Sequence, residues 1–400
     1  MSQAIPQSEI RMASITATLP CDFWFAVTAL ALLGLGLVMV ASASIAIAAR
    51  NGGSELYYLW RQLGALGLGV VIGAGIARMP LVKLRYASAG MLLTGVALLV
   101  LVLIPGVGRE VNGSMRWLGF GPITLQASEP IKLALIVYVA GYLVRHQTQV
   151  RSEFIGFIKP IGVVTVIAGL LLLEPDFGAA AVLFATTLGM LFLGGVPIGR
   201  FIAWGLVAFA SLCALAVLAP YRMQRLMAFR DPWSDPFDTG FQLTQALIAF
   251  GRGEWFGVGL GNSVQKLFYL PEVHTDFIFA VIGEELGLVG ACAVIGLFAA
   301  LFVRIVQIGG QAEAAQQPFA AHLAYGIGLL IVIEAFVNIG VNMGILPTKG
   351  LTLPLVSYGS NSILMICIAL ALVLRVSTET RQLRLIGSVP RGSLRVRDER

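Results

Sequence analysis

The sequence predicts an all-α polytopic membrane protein of about ten transmembrane helices, and three observations predict it. First, 58% of the 400 residues are hydrophobic and 12% are charged, with a mean hydropathy of +0.87. A soluble domain carries about 25% charged residues. Second, apolar runs recur at lengths that cross ~30 Å of hydrocarbon. Third, basic residues collect in short loops that fall on one side of such a bundle. Because the core is a bundle, length gives no domain count.

The elements follow in order. Residues 1–22 are polar, with no basic n-region and no small-residue cleavage signal, and form an N-terminal tail. The run from Phe23 to about Ala49 is too long for a signal-peptide core and reads as the first span. Further spans are expected at about 59–77, 86–105, 129–144, 157–173, 178–196, 199–219, 276–303, 319–343 and 360–376. The second is interrupted by Arg61 and Gln62. The ten-span region is thus 23–376, with a long segment at 220–275 between spans 7 and 8 and a basic tail at 377–400. An even number of spans puts both termini on one side.

Charge orients the bundle. With the N-terminus inside, the short inner loops carry Arg78, Lys83 and Arg85, then Arg145, Arg151 and Lys159, then Arg200, then Arg304. From Arg375 onward, seven arginines face three acids. Both termini are therefore cytoplasmic by the positive-inside rule, and the basic tail suits anionic lipid headgroups, not nucleic acid. The long segment holds Arg222, Arg225, Arg230, Arg252 and Lys266, but long segments cross largely regardless of charge. Cys21, Cys213, Cys292 and Cys367 have neither metal-ligand nor redox spacing, so no disulfide and no zinc site is expected. No internal repeat of the transporter kind is visible.

In this topology the outer rim gathers acids and bases. Between spans 3 and 4 lie Arg109, Glu110, Asn112, Arg116 and Trp117. Glu129, Pro130 and Lys132 follow at a helix start, with proline at its favoured first position. Glu174 and Asp176 share the tight turn E-P-D-F-G. The stretch P-T-K-G-L-T-L-P-L-V-S-Y-G-S-N-S at 347–362 adds Lys349, Ser357 and Tyr358. G-V-G-L-G at 257–261 lacks the strand–helix context of a nucleotide loop and is set aside.

The most informative stretch runs from Phe268 to Gly287. Pro271 halts what precedes it, Thr275 is placed to cap a helix, and Asp276 would enter the first turn, where the dipole favours a carboxylate. Asp276, Ala280, Gly283, Gly287 and Gly290 fall on one helical stripe. That stripe is either a groove for a lipid chain or a face on which another helix packs closely.

Singly, each feature has a structural explanation. Acids beside proline or glycine are turn residues, Trp117 and Tyr358 suit an interfacial belt, and Glu129–Lys132 suits a helix ion pair. Jointly they suit one substrate class. Arginine and lysine hold a pyrophosphate, a carboxylate serves as general base on a hydroxyl, and small residues leave room for a lipid tail. That describes chemistry or transport of a lipid-linked sugar pyrophosphate at the outer face.

N-G-S-M-R-W at 112–117, S-E-P-I-K, E-P-D-F-G, Y-R-M-Q-R with D-P-W beyond it, G-F-Q, L-P-E-V-H-T-D-F-I-F, E-E-L-G and the P-T-K-G-L-T-L-P loop together resemble the SEDS family (shape, elongation, division and sporulation) of bacterial peptidoglycan polymerases, from about residue 20 to 380. P-T-K-G-L-T-L-P is similar to the division branch; the elongation branch tends to P-V-T-G there. The resemblance implies ten transmembrane helices and a large periplasmic loop between helices 7 and 8. It implies polymerisation of lipid II, with release of undecaprenyl pyrophosphate, for septal wall synthesis in the inner membrane. Implied partners are a class B penicillin-binding transpeptidase, FtsI-like, and other divisome proteins. The family's catalytic aspartate falls on Asp276, as base on the acceptor's 4-hydroxyl. Arg116, Trp117, Glu129, Lys132 and Lys349 match residues implied to handle substrate, and Arg109 and Ser357 join them as candidates. No cofactor is called for; the rim acids leave room for a divalent cation at the pyrophosphate, but no ligand spacing demands one.

One departure stands out: the usual S-Y-G-G-S-S is here Ser357-Tyr358-Gly359-Ser360-Asn361-Ser362, which raises the question of backbone freedom at Ser360. Two other readings compete with the enzyme. A lipid II flippase would need polar groups through the midplane, for which Glu284, Glu285, Glu334, Asn338 and Asn342 are candidates. A divisome scaffold would need only helix contacts with the transpeptidase.

Overall fold

A computed structural model describes residues 22–50, 54–111, 114–120, 123–217, 229–238, 240–347 and 350–388. Ten of its helices coincide with the ten expected spans. They are α1 (Phe23–Arg50), α2 (Tyr57–Ile76), α3 (Leu81–Val102), α4 (Ser128–Arg145), α6 (Phe154–Leu173), α7 (Phe177–Leu193), α8 (Ile198–Val217), α10 (Ile278–Ala314), α11 (Pro318–Asn342) and α12 (Ser360–Ser388). Two more lie between them, the short α5 (Gln147–Ser152) and α9 (Phe241–Gly253) in the long segment. Among the described residues, seven helices are long and apolar enough to cross a bilayer by that measure alone. The other three are exceptions, each for its own reason. α4 carries Glu129, Lys132 and Arg145, α7 is 17 residues long, and α8 is described with its side chains only in part, though its sequence is apolar over Ile198–Val217 apart from Arg200.

The core sits around α4 and α11. α4 is buried over nearly its whole length, and α11 packs against α10, α7, α4 and α12. α2 lies mostly against α12. α12 runs twelve residues past its expected end at 376, and in that extension Arg381 pairs with Asp22 and Arg384 donates to the Gln311 carbonyl. Asp22, 1% exposed, accepts from Arg304 of α10 and Arg381 of α12, which ties three elements together at the end opposite Asp276.

The bundle is all-α apart from one small element: β1 (Gly108–Val111), β2 (Ser114–Phe120) and β3 (Ile123–Gln126) form a three-stranded antiparallel sheet between α3 and α4. Its register pairs Trp117 with Arg109 on one side and Gln126 on the other. Thr275 does not cap a helix. α10 starts at Ile278, and its first turn is capped instead by Asn342, whose Oδ1 accepts from the Ala280 N–H at 3.1 Å.

Of the two readings left open for the small-residue stripe, the structure bears out the packing face. A Cβ on Gly283 would meet the Phe250 ring of α9 at 2.3 Å. Gly287 breaks α10, with φ +67° and ψ −166°. The segment after α9 satisfies the groups freed there. Glu284 and Glu285 carbonyls accept from Val258 and Gly259 N–H, while Leu288 and Val289 N–H donate to the Glu254 and Trp255 carbonyls. Gly257, part of the set-aside glycine motif, lets this segment approach: a Cβ there would lie 2.1 Å from the Glu285 carbonyl.

Gly287 is thus a backbone requirement twice over, for its positive φ and for the neighbour only 2.4 Å from a would-be Cβ. Gly287→Val should destabilise the protein by more than ~2 kcal/mol, visible as a lowered thermal midpoint in detergent, whereas Gly296→Val, with open space at its Cβ, should change it little.

Candidate active site

The stretch from Gly350 to Gly359 is non-helical yet buried, with Leu353, Leu355, Val356 and Ser357 all 4% exposed or less. Irregular backbone at membrane depth persists only where protein satisfies its polar groups. Here Ser357 Oγ accepts from the Leu353 N–H at 2.8 Å, and Asn338 donates to the Leu351 carbonyl. Gln62 of α2 donates to the Ser357 carbonyl and accepts from the Gly359 N–H, both at 3.2 Å. The polar residue that interrupted the second span is therefore a bracket for this loop. Gly36 of α1 admits the loop, since a Cβ there would lie 2.4 Å from the Leu355 carbonyl.

The same loop fixes Asp276. Three consecutive carbonyls of its turn are held from outside. His274 C=O accepts from the Tyr358 N–H at 2.8 Å, and Thr275 C=O from the Ser357 hydroxyl at 2.6 Å. Asp276 C=O accepts from the side-chain amides of both Asn338 and Asn342, each at 2.9 Å. The His274 ring packs between Tyr58 and Tyr358, with centroids 4.8 and 5.5 Å away. Tyr358 is thus part of the site's support and not an interfacial anchor.

The Asp276 carboxylate itself is half-buried and faces Gly350, where a Cβ would come within 2.9 Å of Oδ2. Burial pushes its pKa up to about 7. The Glu272 and Asp176 carboxylates push the same way, and the Arg116 guanidinium opposes them. Glu174, in the turn between α6 and α7, is raised further, to about 8, by burial and then by Asp176. It is 1% exposed, and neither carboxylate oxygen has a hydrogen-bond partner among the described residues. Such a group is neutral at pH 7.

The expected site residues divide as follows. Arg116, on β2, donates from Nε to the Glu174 carbonyl at 3.0 Å and from Nη2 to the Pro175 carbonyl at 2.6 Å, which clamps the E-P-D-F-G turn beside the site. Asp176 accepts from the Ala179 N–H and caps α7. Trp117 lies mid-sheet, half-buried. Arg109 is exposed and lies across Gly119, where a Cβ would meet its Nε at 2.2 Å. Glu129 and Lys132 are buried on α4 and form a cluster with Glu334 of α11, Lys132 Nζ bonding both carboxylates. Ser357 holds backbone. Lys349, like Asn112, lies outside the described residues.

The departure at 360–362 resolves simply. Ser360 opens α12 and needs no positive φ, while Asn361 donates to the Thr124 carbonyl of β3 and ties the helix start to the sheet.

The midplane candidates for a flipping path are engaged in structure. The Glu284 carboxylate accepts from Ser263 Oγ and from the N–H groups of Val264 and Gln265, with Arg252 at 3.5 Å. Glu285 accepts from Lys266 and from Ser42 of α1. Both anchor the long segment to the bundle. Asn338 and Asn342 hold the aspartate turn, a role the sequence reading missed. Their spacing of four put them on one helix face, but nothing in the chain said what that face meets.

A polytopic bundle with a half-buried carboxylate of pKa near 7 at its rim, the Arg116 guanidinium acting on it and a buried non-helical loop behind it is a membrane enzyme's site in its general form. Residues 23–382 match the FTSW_RODA_SPOVE family model, described as cell cycle protein, and the chain belongs to that family. A relative from Nitrosococcus halophilus, named "Probable peptidoglycan glycosyltransferase FtsW", is 58% identical over 90% of this chain and 93% of its own. One from Allochromatium vinosum with the same name is 47% identical over 98% and 99%. Among solved structures, a chain of a peptidoglycan synthase complex that coordinates polymerization and crosslinking superposes with a TM-score of 0.75 at 30% identity, over 91% of this chain and 99% of that one. The rod shape determining protein RodA of Thermus thermophilus superposes with a TM-score of 0.67 at 28% identity, over 90% and 97%.

Two measurements check this geometry. Asn342→Leu leaves the Ala280 N–H without its cap and removes one donor from Asp276 C=O, so it should cost about 1–3 kcal/mol of stability in a melt. For Glu174, the folded form binds its proton more tightly than the unfolded chain does, so folding stability contributed at this residue is lost as pH rises from about 4.5 to about 8. Glu174→Gln should therefore flatten the pH dependence of the thermal midpoint and raise it at pH 8.

Proposed function

We infer that the protein is a peptidoglycan glycosyltransferase that polymerises lipid II into glycan strands at the outer face of the cytoplasmic membrane. The observation that carries this reading is Asp276, a carboxylate held by its own backbone in a half-buried turn, with a pKa near pH 7 and Arg116 close by.

In glycosyl transfer from a lipid-linked sugar pyrophosphate, the acceptor's 4-hydroxyl attacks the donor's anomeric carbon as the bond to the pyrophosphate oxygen breaks. Asp276 takes the hydroxyl proton. A base with a pKa near the working pH is both ionised and basic enough for that role. Arg116 keeps donor capacity beyond the two carbonyls it holds, and so can face the anionic leaving group. Lys132 already balances two carboxylates, so it sets charge and packing at the cavity wall more than it offers a free cation. Lys349 and Arg109 are proposed as cations toward the pyrophosphate, and Trp117 as a face for a sugar ring. A divalent cation at the pyrophosphate is compatible with the rim acids, but the described residues contain no cluster of three or more ligands for one.

Peptidoglycan glycosyltransferases are the names of its relatives, and the similar solved complex couples polymerisation with crosslinking. We therefore propose a class B transpeptidase partner, assembly with other divisome proteins and a septal location in the inner membrane. Both termini are then cytoplasmic, and the segment 220–275 is periplasmic. The full engagement of Glu284, Glu285, Asn338 and Asn342 in structural hydrogen bonds gives the flippase reading no separate support.

The test is strand formation from labelled lipid II by the purified protein with a transpeptidase-dead partner. Wild type should form polymer and a folded Asp276→Asn variant none. Polymer from both would remove Asp276 as the base; polymer from neither, with the complex intact, would remove the enzyme. Since Asp276 must be ionised, the wild-type rate should rise with pH through about 7 and level off above it.

A further inference from the structure

A groove of about 360 Å³ opens on the side of the bundle between α3 and α6, away from the catalytic rim. Val96 of α3 and Gly162, Val163, Val166 and Ile167 of α6 form its apolar wall, and Lys159 of α6 stands at one end. Gly162 keeps the wall concave: nothing lies within 4 Å of where its Cβ would be. Pro160 shapes it further. It has no N–H to give Gly156, and the Gly156 carbonyl is taken up by the Tyr142 hydroxyl at 2.8 Å, so the helix tolerates proline here.

Lys159 is the unusual group. It is exposed within a membrane-spanning helix and has no carboxylate or hydrogen-bond partner among the described residues. An intramembrane cation left without a protein partner calls for one from its surroundings. At 1.5 Å per residue it sits about 7 Å along α6 from Phe154, so its ammonium can snorkel to the nearby headgroup level. Val166 and Ile167 lie roughly 18–20 Å along the same helix, and Val96 roughly 22 Å along α3 from Leu81. Measured from Lys159 at the end opposite Asp276, Ile167 lies about 12 Å along α6, within one half of a ~30 Å hydrocarbon layer. That is the reach of one acyl chain in one leaflet.

We propose that this groove is a binding site for an anionic glycerophospholipid of the inner leaflet, its phosphate paired with Lys159 and one acyl chain lying along Gly162–Ile167. The charge of Lys159 selects the headgroup, and the depth and apolar lining select a chain. The proposal goes beyond the polymerase reading and does not depend on it.

The experiment is native mass spectrometry of the full chain purified in detergent and equilibrated with phosphatidylglycerol, phosphatidylcholine or undecaprenyl phosphate. Wild type and Lys159→Arg should retain phosphatidylglycerol in preference to the other two. Lys159→Gln and Gly162→Leu should each lower that retention about fivefold, with lipid II polymerisation unchanged, because neither residue touches the catalytic rim. Equal retention of phosphatidylcholine, preference for undecaprenyl phosphate, or unchanged retention in Lys159→Gln would each overturn the proposal. If Gly162→Leu fails to fold, Lys159→Gln decides alone.

Discussion

The site depends on backbone carbonyls. In the turn His274–Thr275–Asp276, each C=O is taken by a group from outside the turn: the Tyr358 N–H and the Ser357 hydroxyl of one loop, and the amides of Asn338 and Asn342 of α11. A carboxylate near the end of a membrane helix would otherwise sit on a frayed turn. With its carbonyls pinned, the turn holds Asp276 against Gly350 and away from bulk water. The raised pKa follows from that position, since burial is its largest cause.

The pinning groups must themselves be held, and the bundle does this with buried polar contacts and close backbone approach. Gln62 brackets the re-entrant loop and Gly36 admits it. Glu284 and Glu285, which resemble a polar path when read along the helix, bind the long outer segment through Ser263, Val264, Gln265, Lys266 and Ser42. The break at Gly287 lets that segment trade backbone hydrogen bonds with α10. Buried acids paired or hydrogen-bonded on every accessible side are structural, whereas the two raised acids of the rim, Asp276 and Glu174, lack such pairing. This contrast separates hydrogen-bonded scaffold acids from two acids of raised pKa within one small region.

Arg116 shows how position sets role. Its guanidinium spends two donors on the carbonyls of Glu174 and Pro175, so it carries charge into the site while fixing the turn that bears Glu174 and Asp176. The sheet that presents Arg116 is the one non-helical layer of the described fold. Asn361 ties it to the start of α12, which links the outer loop to the end of the re-entrant loop.

The sequence by itself determined the class of fold and the number and order of spans, and it singled out Asp276 as the candidate for the chemistry. Hydrophobic length and charge asymmetry are local, additive signals, and an acid placed where a proline-broken loop meets an apolar helix is visible in a short window. What only the tertiary structure decided was how polar residues are shared between elements. It decided between the two readings of the glycine stripe, making it a contact for α9, and moved the start of α10 past Thr275. It also assigned Asn338, Asn342, Ser357 and Gln62 to the support of Asp276 and drew residues 108–126 into a sheet. The physical reason is the same in each case. A buried donor or acceptor must find a partner, and that partner can lie tens to hundreds of residues away, where no periodicity in the chain records it.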